Sequence, residues 1–360
     1  ASAVSGDNIV FFTNIVETNS TSVALKDGVN INLNGYSYTY DQVDNNDTLT
    51  DNAVAVNCSI FNGKIRRINA STPTIFVAVG LRLSNTGSNI FLSGVTIEAE
   101  NGSNTCYISS GNLTGGNFRQ IGASAVYSFF VQNSNSIIRN INVHADTTAA
   151  GIFQAQIFDS YFRNDATFSV ILESNAIGYR ISGYSTANDG IVVGTAKLYN
   201  STGRSTTQAG IDTNTAAELY NCSGYSSGGA GISTFNYAEN CVGSSTATYG
   251  MQTGSNSKTY NCTGRSSALY GIFSRGLIVK TSAISTYNNS LGHAFSNVEN
   301  NDELIDCYAE VVNASAYGVN APTTSPYVTG FSGRGMTQLL NLLSNAQTNT
   351  EDNFGNILIG

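Results

Sequence analysis

Residues 196–215 read AKLYNSTGRSTTQAGIDTNT. The chain then repeats that sentence as AAELYNCSGYSSGGAGISTFN over 216–236, YAENCVGSSTATYGMQTGSN over 237–256 and SKTYNCTGRSSALYGIFSR over 257–275. An apolar residue after a small one recurs at Ile191, Ile211, Ile232, Met251 and Ile272, spaced 20, 21, 19 and 21 residues apart. A unit this short cannot bury an apolar face alone, so it must stack on its neighbours. The spacing predicts an all-β chain, a parallel β-helix (β-solenoid) with one strand per sheet in each coil of about 20 residues. Ile152 and Ile171 carry the column backwards by the same count.

Other columns follow this frame. Ile181, Ser201, Cys222, Cys241 and Cys262 share one face with Gly183, Gly203, Gly224, Gly243 and Gly264 two positions on, and both sets point inward. Tyr184, Arg204, Tyr225, Ser244 and Arg265 lie between them and form an external stripe. Ser185, Ser205, Ser226, Ser245 and Ser266 make a corner ladder, where hydroxyls bond to turn backbone. The cysteines read as buried, reduced small hydrophobes: stacked side chains sit slightly too far apart for a disulfide, and no Cys-x-x-Cys pair or histidine partner accompanies them. No metal or cofactor is expected.

Composition supports short strands. Only 11% of residues are charged, Pro numbers 3 and Gly 36, and Tyr and Phe together make 36. This is neither a disordered nor a helical texture. A net charge of −8 argues against nucleic acid as a partner. No apolar stretch reaches the roughly 18 residues of a membrane span. The opening ASAVSGDNIVFF lacks the charged start and apolar core of a signal peptide. Eleven Asn-x-Ser/Thr sequons occur, but those at Asn200, Asn221 and Asn261 recur in one column, so they read as structural asparagines and favour a bacterial or viral source.

Three segments follow: a lead-in or cap over 1–40, the helix over 41–320, and a cap or oligomerisation segment over 321–360. Asp41, Asp44, Asp47 and Asp51 form an acidic loop without the glycine and terminal glutamate of a calcium loop, expected to be solvated. Pro322 and Pro326 mark an exit. Met336, Leu339, Leu340 and Leu343 stand at helical spacing, which predicts a short amphipathic helix over 336–346. His293, in the place of an aliphatic member of the isoleucine column, is expected to end a coil or make a core hydrogen bond.

With this period, the inward isoleucine and cysteine ladders, and the opening VNINLNGYSYTYD followed by SIFNGKI, the chain resembles the pectin-lyase-like superfamily of right-handed parallel β-helices over residues 8–320. The right-handed sense is implied by that resemblance. None of the Asn-Thr-Asp, Asp-Asp, Gly-His-Gly and Arg-Ile-Lys signatures of polygalacturonase-like hydrolases occurs, nor does the Asp-His pair with a following Arg of pectate lyases. The Ser/Thr/Asn/Tyr-rich texture is more similar to a bacteriophage tail spike or tail fibre. That likeness implies an extracellular, virion-borne homotrimer that binds a bacterial surface polysaccharide. A polysaccharide-cleaving glycosidase or lyase on the same scaffold, and an adhesin or purely structural component, are the alternatives.

Two sets of candidate site residues emerge. Asp146 and Asp165 fall in the serine-ladder column by count, roughly 5 Å apart, where two carboxyls hold one proton between them as glycoside cleavage requires; Glu173, on the coil of Asp165, is the next carboxylate. The competing reading has both aspartates accepting turn hydrogen bonds as the serines do. For binding, Arg163, taken as one position off register, extends the stripe of Tyr184, Arg204, Tyr225 and Arg265 towards His144 and Arg119. Aromatic faces and guanidinium forks suit sugar rings and carboxylates. The same row equally suits a solvated face or a subunit interface.

Overall fold

The computed structural model describes residues 3–358, except 71–78, 125–126, 147–148, 297, 300–301, 322–325, 337, 343–347 and 352–356. The chain divides into two compact units, Ala1–Thr186 and Ala187–Gly360.

In the second unit, from Ile191 to Val311, each coil contributes one short strand to each of three parallel sheets. One sheet contains Ile191–Val193, Ile211–Thr213, Ile232–Thr234 and Met251–Thr253. Its rungs join Ile191 to Ile211, Ile211 to Ile232, Ile232 to Met251 and Met251 to Ile272, so the coil steps are those of the sequence repeat. All five of these side chains are fully buried. The second sheet contains Lys197–Tyr199, Glu218–Tyr220, Tyr237–Glu239 and Lys258–Tyr260, and the third Thr202–Ser205, Ser223–Ser226, Val242–Ser245 and Thr263–Ser266.

The corners explain the polar columns. Asn200, Asn221, Asn240 and Asn261 turn the chain from the second sheet into the third with φ of 50°, 53°, 54° and 51°. That left-handed region is costly for most side chains and tolerated by asparagine, so the recurring Asn is conformational. At the next corner the Ser205 hydroxyl donates to the Asn188 carbonyl at 2.5 Å, Ser245 to Gly229 at 2.7 Å and Ser266 to Thr248 at 2.5 Å. Each of these serine oxygens also accepts backbone N–H groups from its own turn, as from Gln208 at 2.9 Å.

All six cysteines are unbridged and buried. Two of the sulfurs, those of Cys241 and Cys262, also accept hydrogen bonds from the preceding coil. Cys222 N donates to Cys241 Sγ at 3.4 Å and Cys241 N to Cys262 Sγ at 3.3 Å, and Thr281 Oγ1 serves Cys262 N at 3.2 Å. At Cys241, Cys262 and Thr281 the column thus combines a small side chain with an acceptor. His293 is 3% exposed. Its Nδ1 accepts the Tyr317 N–H at 3.0 Å, and its ring lies between those of Tyr270 and Tyr317. The isoleucine column itself passes to Phe295, which pairs with Ile272.

In the first unit parallel pairing begins at Asn8–Val10 with Asn30–Asn32 and runs through the long strands Asn57–Ala70 and Val79–Gly102. Two expectations are corrected here. Ile171 is half-buried while Val170 and Leu172 are fully buried, so the backward count from Ile191 lands one residue late. Because strand faces alternate, that slip exchanges inside for outside. The acidic stretch is also not a solvated loop. Asp41 and Asp44 lie in the strand Ser37–Asp44. Asp44 pairs at 3.1 Å with Arg67, whose side chain is 0% exposed, and Asp47 pairs with Arg82. Asp51, 1% exposed, accepts from Ser84 N, Asn85 N and Ser88 Oγ at 2.9, 2.9 and 2.7 Å.

The helix expected over 336–346 is a strand where it is described. Gln338–Leu342 runs parallel to Tyr317–Ala321, with Gln338 opposite Tyr317 and Leu342 opposite Ala321. An open ladder of N–H and C=O groups on the preceding coil outweighs the helical spacing of a short leucine run, which periodicity alone does not assign. Pro322, residue 337 and residues 343–346 lie outside the described residues. Among the described residues no helix is long and apolar enough to cross a membrane.

Candidate functional site

The external stripe exists as rungs. In the first unit Arg119 pairs with His144, His144 with Arg163, and Arg163 with Tyr184. Arg163 is thus in register, not one position off. Its guanidinium carbon stands 5.7 Å from the Tyr184 ring centroid. In the second unit Arg204, Tyr225, Ser244 and Arg265 form successive rungs. Arg119, Arg163, Arg204, Tyr225 and Arg265 are exposed.

Asp146 and Asp165 do not occupy the serine column. That place belongs to Asn164, which pairs with Ser185 on one side and with Ala145 on the other. Asn164 Oδ1 does the serine's work, accepting the Ala166 N–H at 2.7 Å. The aspartates follow one residue later and turn towards the stripe. His144 Nε2 lies 3.1 Å from Asp165 Oδ2 and 3.7 Å from Asp146 Oδ1, and Arg163 Nε donates to Asp165 Oδ1 at 3.0 Å. Burial raises the Asp165 carboxyl, but the hydrogen bonds from His144 and Arg163 outweigh it and hold the group below the ordinary carboxylate range. Asp165 therefore stays ionised and offers no proton. One donor atom from each of His144, Asp146 and Asp165 lies within 4.8 Å of the others, a set of metal-ligand type that the sequence reading did not bring together. Arg163 already neutralises one of its oxygens. Glu173 takes no part: it is exposed, in the turn after Val170–Leu172.

A polar groove lies in the second unit, and none of the residues that line it is among the candidates read from the sequence. Asp212, Ser233 and Gln252 are successive rungs on the outward side of the first sheet. The loops that follow the serine ladder rise beside them, and the two walls enclose an open groove of about 540 Å³ lined also by Asp189, Gly229 and Tyr249. Asp189 is fixed by the loop of the next coil: its Oδ1 accepts the Ala209 N–H at 2.7 Å. Burial, reinforced by the charge of Asp212, pushes the Asp189 carboxyl up to about 6. Burial also raises Asp212, against hydrogen bonds from Ser233 and the Thr213 backbone. No Lys, Arg or His is among the lining residues. The signal in the sequence is an acid amid the outward series Val192, Asp212, Ser233 and Gln252, which neither the inward columns nor the basic stripe picks out.

No protein-family description matches the chain, and no curated protein matches it. Among solved structures it is similar to a double mutant of the tailspike protein of E. coli bacteriophage HK620, with 10% identity, 93% of this chain and 60% of that chain covered, and a TM-score of 0.29. It is also similar to PfbA, a surface adhesin of Streptococcus pneumoniae, with 11% identity, 98% and 87% of the two chains covered, and a TM-score of 0.24. The chain thus spans 60% of the tailspike's length.

Proposed function

We propose that the protein is an extracellular glycan-binding β-solenoid, part of a phage tail and assembled as a homotrimer, whose ligand is a bacterial surface polysaccharide held along the groove of Asp189, Asp212, Ser233, Tyr249 and Gln252. The observation that carries this reading is the polar groove itself, at about 540 Å³ in the range of ligand sites. Asp212, Ser233 and Gln252 offer one hydrogen-bonding side chain per coil. Coils repeat at about 4.8 Å, close to the length of one pyranose residue, so a polymer of sugars meets a matching series of polar groups. Tyr249, whose ring stacks on those of Tyr270 and Phe273, lines the groove beside them.

The stripe is the competing surface, and it separates cleanly by mutation. Isothermal titration with a panel of capsular and O-antigen polysaccharides is expected to show binding that Q252A and Y249A abolish. The triple variant Y184A/R204A/Y225A is expected to retain it. The reverse pattern assigns the glycan to the stripe, and no binding by the unmodified protein across the panel refutes the function.

One observation favours cleavage as a second reading. Asp189 holds its proton to about pH 6, as a general acid does, and Asp212 lines the same groove. The expected sign is new reducing ends in the presence of the protein and their loss in D189N and D212N; binding without new ends in the unmodified protein leaves recognition alone.

A further inference from the structure

The groove's charge says which glycan it takes. Two carboxyl groups line it, no cationic side chain does, and neither carboxyl is salt-bridged among the described residues. What compensates them is local and neutral: the Ala209 N–H for Asp189, and Ser233 with the Thr213 backbone for Asp212. Both are half-buried, and carboxylates withdrawn from water are favoured by a counter-charge, because desolvating an anion is costly without one. Here the place for it is the groove. A single metal ion leaves most of about 540 Å³ empty, whereas a saccharide that carries its own positive charge fills the space and neutralises the acids together.

We propose that the groove is selective for a cationic saccharide, one bearing free amino groups, with an ammonium group held against Asp189 and Asp212. This rests on the groove being the glycan site. The same geometry disfavours uronic acids, sialic acids and phosphorylated sugars, whose charge has the sign of the walls. It also distinguishes the groove from the stripe, whose Arg204 and Arg265 suit anionic sugars. Among the described residues, the titratable groups that line the groove are Asp189, Asp212 and Tyr249. An ammonium needs Asp189 ionised, so affinity is expected to fall as pH drops through about 6, approaching tenfold per unit below it.

The test uses the full chain and three probes of equal length: a glucosamine oligosaccharide with free amines, its N-acetylated counterpart, and an oligogalacturonate. The free-amine oligomer is expected to bind at pH 7, with N-acetylation costing tenfold or more and the uronate not binding. D212N and D189N are expected to abolish the preference while their unfolding transitions remain cooperative. Equal binding of the free and acetylated oligomers overturns the charge selectivity and leaves the groove as a glycan site. Amine binding that D212N and D189N do not change, or equal binding of an oligolysine, shows a non-specific attraction to an acidic protein and also overturns it. If none of the three probes binds but a bacterial polysaccharide without free amines does, and Q252A abolishes that binding, this inference fails and the proposed function stands.

Discussion

At the scale of single residues, Asp189 sets a trade between stability and function. A carboxyl whose value in the folded protein is raised from 3.8 to about 6 binds more protons folded than unfolded between those limits. The fold therefore loses stability as pH rises from about 4 to about 6, and the loss is complete above that. That rise corresponds to about 3 kcal/mol, reduced to about 1–2 kcal/mol because the group opens on solvent in the groove. D189N is thus expected to be more stable than the unmodified protein at pH 7 and equal to it below pH 4 in urea titrations; an equal midpoint at pH 7 removes the effect. Asp165 has the opposite sign, stabilising the fold above the ordinary carboxyl range and losing that contribution as pH falls through its lowered value. Gly224 shows how little space the inward column leaves. A Cβ there would overlap the Gly231 carbonyl oxygen and the Ile232 side chain, so G224A is expected to cost about 1–3 kcal/mol in the same titration.

At the scale of the element, the corners are held by ladders whose members each serve two coils. The Ser226 hydroxyl donates to Gln208 O and accepts from Gly229 N at 2.8 Å. S226A leaves these groups unpaired, and about 1–3 kcal/mol is the expected loss. For the sulfur ladder, C241A is expected to cost about 1 kcal/mol by removing the acceptor of the Cys222 N–H, and C241S to recover part of it; equal stability of the two variants would show that the sulfur is only a space-filler. These ladders were legible in the sequence because every member recurs once per coil, so counting aligns them. The acidic stretch was not legible, since Asp44, Asp47 and Asp51 find Arg67, Arg82 and Ser88 at separations of 23, 35 and 37 residues, outside the repeat. The leucine run at the C-terminal end was misread for a related reason. Its spacing fits two structures, and the preceding strand's free edge chose between them.

At the scale of the molecule, the proposed assembly predicts a solution mass of three chains by light scattering, and a stable monomer at micromolar concentration would count against the phage-tail reading. All six buried thiols are expected to resist a thiol reagent in the native protein and to react in denaturant.

The sequence by itself determined the period, the parallel pairing, the inward columns from Ile191 onward and the serine corner, because stacking makes every coil solve the same packing problem. It also determined that Asp146 and Asp165 are neighbours, though it placed them one residue out of register. Only the tertiary structure decided what those acids touch. His144 and Arg163 approach Asp165 from the adjoining rung and its own strand, and fix its charge. Only the tertiary structure, too, raised the loops beside Asp212, Ser233 and Gln252 into a groove. The physical reason is that a repeat dictates what is periodic, whereas a site depends on the few side chains that depart from it and on the loops that shelter them from water.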